Sequence, residues 1–296
     1  MNPASSEAGK VSGWSQKADS RLYVYAFLMR SAEDLPADFP VPETADGLRL
    51  GLFLPRWEGG SRRAKPSGAR ILALCRDRLV IRFHPREEER PLCLPLQDLV
   101  FLELGRFLLR GWLRVVWNAG EMTLPYHARY SDPLDQFLLA FREAWLGTRA
   151  TVDGRASRSL GPPPDLKYQA EEAAELGSGE RALLRFFNPP ALRIARRVLR
   201  RRSWSPGDLL TLTQQRILWI TDRWGGHHAS YGVSKSYAPL DLVRHLTVVR
   251  YGKPPVLVVA FRGQAQWAIP LPTPESLERA ERFVEHHSAL WRGNAS

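Results

Sequence analysis

The sequence predicts a mainly β chain with C-terminal helices, an α+β class. It reads as two units, each of about seven antiparallel strands capped by one C-terminal helix. Three observations carry this. Hairpin signatures recur in the same order in both halves, offset by about 140 residues. Each half closes on an amphipathic stretch whose apolar residues fall about 3.6 positions apart. Between the halves lies a run rich in Gly, Pro, Ser and Arg with no apolar periodicity.

The elements follow in order. Residues 1–20 are polar and read as a flexible tail. The first unit spans 21–147, the linker 148–168 and the second unit 169–293, with Pro162, Pro163 and Pro164 stiffening the linker. Each unit opens on a strand, Leu48–Trp57 and Arg181–Phe187. A strand–turn–strand follows, Ile71–Phe83 and Leu209–Thr221, with Arg78 or Arg216 at the end of the turn. Next comes an Asp-Leu-Val at 98–100 and 241–243, each leading into a strand. A further hairpin turns at Gly120 or Gly263 and ends at Pro125 or Pro270. The first closing helix places Leu134, Phe137, Leu138, Phe141 and Trp145 on one face, with Ser131 or Asp132 as its N-cap. The second places Leu277, Ala280, Val284 and either His287 or Leu290 and Trp291 on one face, with Thr273 as N-cap and Pro274 at the first helical position.

Composition narrows the function. The 296 residues are 44% hydrophobic and 25% charged, the make-up of a globular protein rather than a disordered one. No apolar run approaches the ~20 residues of a membrane-spanning helix, and the polar N-terminus lacks the apolar core of a signal peptide. Two cysteines make no disulfide framework, which points to a reducing, cytoplasmic setting; Cys75 and Cys93 read as buried small hydrophobes. The net charge is +11, and 36 of the 42 basic residues are arginine. A GC-rich genome explains much of that skew, so the positions of the arginines carry more than their number.

The element order is similar to that of the pleckstrin-homology (PH) architecture, a small bent antiparallel sheet plugged by a C-terminal amphipathic helix. Glu171–Leu184, an acidic helix followed by Gly-x-Gly-Glu and a strand, resembles the lead-in of bacterial PH-like and GRAM-like domains. So does the hairpin 210–221 with its T-x-x-R turn, Thr213 to Arg216. The resemblance covers about 46–147 and 168–292 and implies two PH-like barrels. In the first half a Pro-rich stretch, 35–42, replaces the acidic lead-in. The architecture hosts lipid, peptide and protein binding, so it implies no single ligand.

The sharpest local feature is Asn188–Trp204, which holds six arginines and no acid. Wound at ~100° per residue, 189–202 predicts a basic amphipathic helix, with Arg193, Arg196, Arg197, Arg200 and Arg201 set against Leu192, Ile194, Ala195, Val198 and Leu199, and Arg202 completing the basic run. It falls between the first and second strands of its unit. The equivalent loop of the first unit, 58–66, holds Arg62, Arg63 and Lys65. Trp57 and Trp204 flank the two loops, and Trp favours a membrane–water boundary. In membrane-binding PH domains, this loop carries the basic headgroup-binding residues, which the resemblance extends to the arginines here.

Other chemistries find little. There is no Cys-x-x-Cys, no HExxH, no Gly-x-Ser-x-Gly and no phosphate-binding Gly-rich loop, so neither a metal, a cofactor nor catalysis is expected. The expected role is non-catalytic docking on an anionic surface such as the inner membrane face. The alternatives are an acidic protein partner or a scaffold held by the apolar face of helix 189–202, and non-specific nucleic-acid binding, which the charge permits.

Overall fold

The computed structural model of the chain describes residues 25–39, 47–57, 68–84, 90–147, 158–160, 162–176, 180–194, 202–222, 232–251 and 254–293. The first half forms β1 (Phe27–Met29), β2 (Leu48–Leu54), β3 (Arg70–Cys75), β4 (Arg78–Phe83), β5 (Leu92–Pro95), β6 (Leu99–Phe107), β7 (Arg110–Trp117), β8 (Gly120–His127) and α1 (Ser131–Leu146). The second forms β9 (Arg158–Leu160), α2 (Leu166–Glu175), β10 (Ala182–Asn188), β11 (Ala191–Ile194), β12 (Arg202–Ser205), β13 (Asp208–Thr213) and β14 (Arg216–Thr221). It continues with β15 (Gly232–Pro239), β16 (Val243–Val249), β17 (Val256–Phe261), β18 (Gln266–Pro270) and α3 (Pro274–Gly293). The chain is mainly β with a helix closing each half, as expected. The predicted tail, 1–20, lies outside the described residues. Inside the predicted linker, β9 adds a parallel strand to the outer edge of β10.

The halves do not form two separate closed barrels. Among the described residues no sheet closes on itself. The strands form sheets ordered β1-β2-β3-β4-β5, β8-β7-β6-β15-β14-β13-β10-β9, β11-β12 and β16-β17-β18. The second of these joins the halves: β6 pairs antiparallel with β15, from Tyr237 opposite Leu102 to Gly232 opposite Phe107.

This sheet is covered on both faces, which explains why β13 is buried along its whole length and reads as a nearly continuous apolar run. Phe187, Leu209, Leu218, Ile220 and Tyr237 point to a core shared with α1, Tyr168 of α2 and the five-stranded sheet. Phe186, Leu210, Leu212 and Ile217 point to a second core with β16–β18 and α3. The period-two alternation thus serves two cores at once.

The internal repeat is closer than the sequence indicates, with one shift. Pro95 and Pro239 occupy matching places, opposite Arg78 and Arg216. The next N–H, of Leu96 or Leu240, donates to the preceding turn at the carbonyl of Asp77 or Gln215 (2.8 and 2.9 Å). Asp98 therefore corresponds to Leu242, and the two Asp-Leu-Val motifs are one residue out of register.

Repeated motifs also diverge in use. Arg78 is exposed and bonds its neighbour Asp77 (2.8 Å). Arg216 is buried and grips Glu180 through Nε (2.9 Å) and Nη2 (2.6 Å), while the Thr213 hydroxyl donates to the same carboxylate (2.7 Å). The T-x-x-R turn and the glutamate of the Gly-x-Gly-Glu lead-in are thus two halves of one contact.

The closing helices behave as their patterns predict. Leu134, Phe137, Leu138, Phe141 and Trp145 are all buried in α1, although the helix already includes Ser131. At α3 the Ser276 N–H donates to Thr273 Oγ1 (3.1 Å) just ahead of Pro274. The buried stripe of α3 runs through Ser276, Ala280, Phe283 and His287, with Leu277 and Val284 at its margin. Burial pushes the His287 imidazole down to about 4. The unfolded chain takes up that proton near 6.5 and the folded one does not, so folding stability falls as pH drops from 6.5 toward 4. A His287→Leu variant is expected to keep its thermal midpoint through this window, losing it only in the carboxylate range; differential scanning calorimetry across pH checks this.

Candidate functional site

One end of the eight-stranded sheet carries the second-half segment singled out in the sequence, which begins at Asn188. Asn188, Asp208, Thr221, Ser234 and Gly105 lie side by side in register across β10, β13, β14, β15 and β6. Beyond this row the chain leaves as the β11/β12 hairpin, as residues 223–231 and as the β6–β7 turn.

The hairpin corrects the helix predicted over 189–202. Ala191–Ile194 pairs antiparallel with Arg202–Ser205, in register from Ala191 opposite Ser205 to Ile194 opposite Arg202. Three local causes favour this. Pro189, Pro190 and Pro206 impose extended backbone on their neighbours at both ends. Arginines spaced for one helix face would repel each other. Leu192–Arg193–Ile194 also fits a period of two. The scaffold reading that used the apolar face of helix 189–202 loses its footing. Arg193, Arg202 and Trp204 lie on this ladder, with Trp204 opposite Leu192. Arg196, Arg197, Arg200 and Arg201 fall in 195–201, outside the described residues, as do Arg62, Arg63 and Lys65. Trp57 is half-buried just past β2.

The base of the arm is tightly built. The Gly207 N–H donates to Asp222 Oδ1 (2.6 Å), the Thr221 hydroxyl donates to the Gly207 carbonyl (3.1 Å), and Trp219 Nε1 donates to Asp208 Oδ1 (3.0 Å). Burial raises the Asp222 carboxyl, opposed by the Gly207 N–H bond and by Lys167. Burial and the Asp222 carboxylate together push the Tyr168 hydroxyl far up, so it stays protonated. Gly207 is required by close approach, since a Cβ there would stand 2.1 Å from Tyr168 Oη. The prolines lack N–H donors, so the ladder breaks after Asn188 opposite Asp208 and restarts at Ala191 opposite Ser205.

The β6–β7 turn projects from the same end. Phe107 faces Arg110 across a two-residue turn of Leu108 and Leu109, which are 66% and 64% exposed. Leu108 holds φ at 51°. That position favours Gly, and a branched-chain residue there costs about 1 kcal/mol. Sequence reasoning passed over this turn, although two adjacent leucines in place of turn residues were a visible signal.

The corresponding loops of the first half differ in charge. Leu54, Arg70 and Phe83 lie in register, so segments 58–67 and 85–89 leave their sheet at one end. In sequence the first of these segments holds Arg62, Arg63 and Lys65 and the second holds Glu87, Glu88 and Glu89; both lie outside the described residues. In the second half no acid occurs between Asn188 and Gly207, or between Arg223 and Gly232.

Toward the opposite end of the eight-stranded sheet several charges pair internally. A cavity of about 710 Å³ between α1, α2 and the β13–β14 turn is lined by Arg142, Arg216, Glu143, Glu175 and Glu180, with acid in excess. Lys235 Nζ, on β15, meets Glu175 (2.7 Å) and Glu171 (2.9 Å), and Arg142 on α1 also pairs with Glu175. Cys75 is buried, but Cys93 is exposed because the short edge strand β5 turns Leu94 inward instead. Among the described residues no cluster of three or more His, Cys, Asp or Glu could hold a metal ion. No protein-family model matches the chain, and no curated protein matches it.

Proposed function

We propose that the chain is a non-catalytic, tandem PH-like binding protein that docks on an anionic membrane surface through the second-half end of its eight-stranded sheet. Once β1, β9 and the β11/β12 hairpin are set aside, the strand order of each half supports the PH-like reading: four strands, a short 3-10 turn, three strands and a helix. The observation that carries the docking reading is positional. The arginine-rich hairpin and the acid-free segment 223–231 follow strands that stop at one end of one sheet, where Asp208 and Asp222 are buried and accept hydrogen bonds from Trp219 and Gly207, whereas Glu171, Glu175 and Glu180 sit in ion pairs on its flank. A localised cluster of basic charge gains ~1 kcal/mol per residue near an anionic leaflet and is screened beyond ~8 Å at physiological ionic strength.

Sedimentation with vesicles of graded anionic lipid tests this. Wild-type protein is expected to bind in proportion to anionic content. Reversing Arg196, Arg197, Arg200 and Arg201 to Glu should weaken partitioning at least about a hundredfold. Binding that ignores this reversal sinks the reading, and salt-dependent retention of RNA or DNA without vesicle binding would replace it with nucleic-acid recognition.

A further inference from the structure

We infer that the Leu108–Leu109 turn is a membrane-insertion element: an apolar tip that enters an anionic lipid bilayer beside the arginine-rich hairpin. The inference rests on the docking reading above and adds the part of the contact that salt does not screen.

Register supplies the placement. β6 runs antiparallel to β15 and passes Gly232 at Phe107, so the turn projects beyond the end from which 223–231 and the β11/β12 hairpin leave. Three strand spacings separate β6 from β13, or about 15 Å, so tip and hairpin base can meet one flat surface.

Chemistry supplies the occupant. Leu108 and Leu109 protrude as a two-residue point, in a turn where Gly would relieve the backbone. Leu166, 82% exposed, opens α2 at the same end, because the neighbouring Lys167 Nζ donates to the Gly232 carbonyl (3.0 Å). On the other flank, the Ala128 N–H donates to the Leu109 carbonyl (2.9 Å), which brings Arg129 alongside; its guanidinium lies 5.2 Å over the ring of the exposed Tyr25. Arg110 closes the turn. Leucines at the point, basic groups and a tyrosine around it match the depth profile of a bilayer interface, apolar within and anionic at the rim. A protein partner would need a socket shaped to this point, whereas a fluid hydrocarbon interior needs none.

The test uses full-length protein and phosphatidylcholine vesicles containing phosphatidylglycerol. The double variant Leu108→Gly with Leu109→Asn gives the turn its favoured residues, so its thermal midpoint should not fall. Its vesicle partitioning should drop at least about tenfold, and the binding that survives high salt in the wild type should vanish. As an independent readout, Leu109→Cys in a Cys93→Ser background carries an environment-sensitive dye, whose emission should shift to the blue on vesicles. Wild-type binding that the double variant retains at high salt, with a dye that stays in water, overturns insertion and leaves docking intact. Failure of the wild type to bind any anionic vesicle overturns docking, and insertion with it.

Discussion

A chain cut between residues 148 and 157 is expected to run as one particle. The covalent link there is not what holds the halves together. β6 and β15 pair over six registered positions, and the core that begins under β2–β4 continues without a break to Phe187, Leu209, Leu218 and Tyr237 of the second half. Separated halves would each expose a long hydrogen-bonding edge, β6 in one and β15 in the other, together with the apolar faces behind them. Such edges recruit other chains. Residues 1–150 and 151–296 expressed alone are therefore expected to aggregate, and expressed together to co-purify in equal amounts. Size-exclusion chromatography of the nicked and co-expressed forms decides this. Two soluble, independently folded halves would show that the joint sheet is dispensable.

The second large effect is at Glu175. Its carboxylate lies between the Lys235 ammonium (2.7 Å) and the Arg142 guanidinium, at the point where α1 of one half meets α2 and β15 of the other. Glu175→Ala should lower stability by about 3 kcal/mol, since it removes the carboxylate paired with Arg142 and leaves Lys235 only Glu171, in a site largely closed to water. The pH dependence gives a second check. Burial alone would raise the Glu175 carboxyl, but Lys235 and Arg142 outweigh it and hold it below 4.5. Its contribution is therefore complete above pH 4.5 and disappears as pH falls through the lower folded value. Lys235 is the mirror case: burial lowers it, Glu175 and Glu171 raise it further, and its contribution is complete below pH 10.5. The gap between wild type and Glu175→Ala should be widest across neutral pH and close in acid. Urea unfolding at several pH values measures it, and a gap that widens in acid would contradict the assigned ion pairs.

The parts of this fold that are local were legible in the sequence. The turns at Arg78 and Arg216, the Pro-Leu step into a 3-10 turn and the apolar faces of α1 and α3 all follow from nearest-neighbour chemistry. Three kinds of feature were hidden. β1 and β9 are three residues long, too short for a period to register. The arm 191–205 satisfies both a helical and an alternating pattern, and its prolines and like charges decide between them only once a pairing partner exists. The β6–β15 joint links residues about 130 positions apart, and no local pattern encodes a contact of that range. Which strand ends lie together depends on register. That is why the leucine tip at the same end of the sheet as the β11/β12 hairpin came into view only with the sheet.

The joint has a further consequence for how many units such a chain can join. It sets the fifth strand of one unit against the fourth of the next, a head-to-tail contact between unlike edges. Repeated, such a contact builds an open fibre unless its rotation closes a ring. The next edges in the series would be β16 at one end and β5 at the other. β5 is only four residues long, with Pro91 just before it and Pro95 at its end, and proline cannot donate to a ladder. Among the described residues the first half also has no counterpart of α2 to supply the carboxylates that seat Lys235 and Arg142. The short, proline-flanked β5 therefore makes a poor edge for a further copy of this contact.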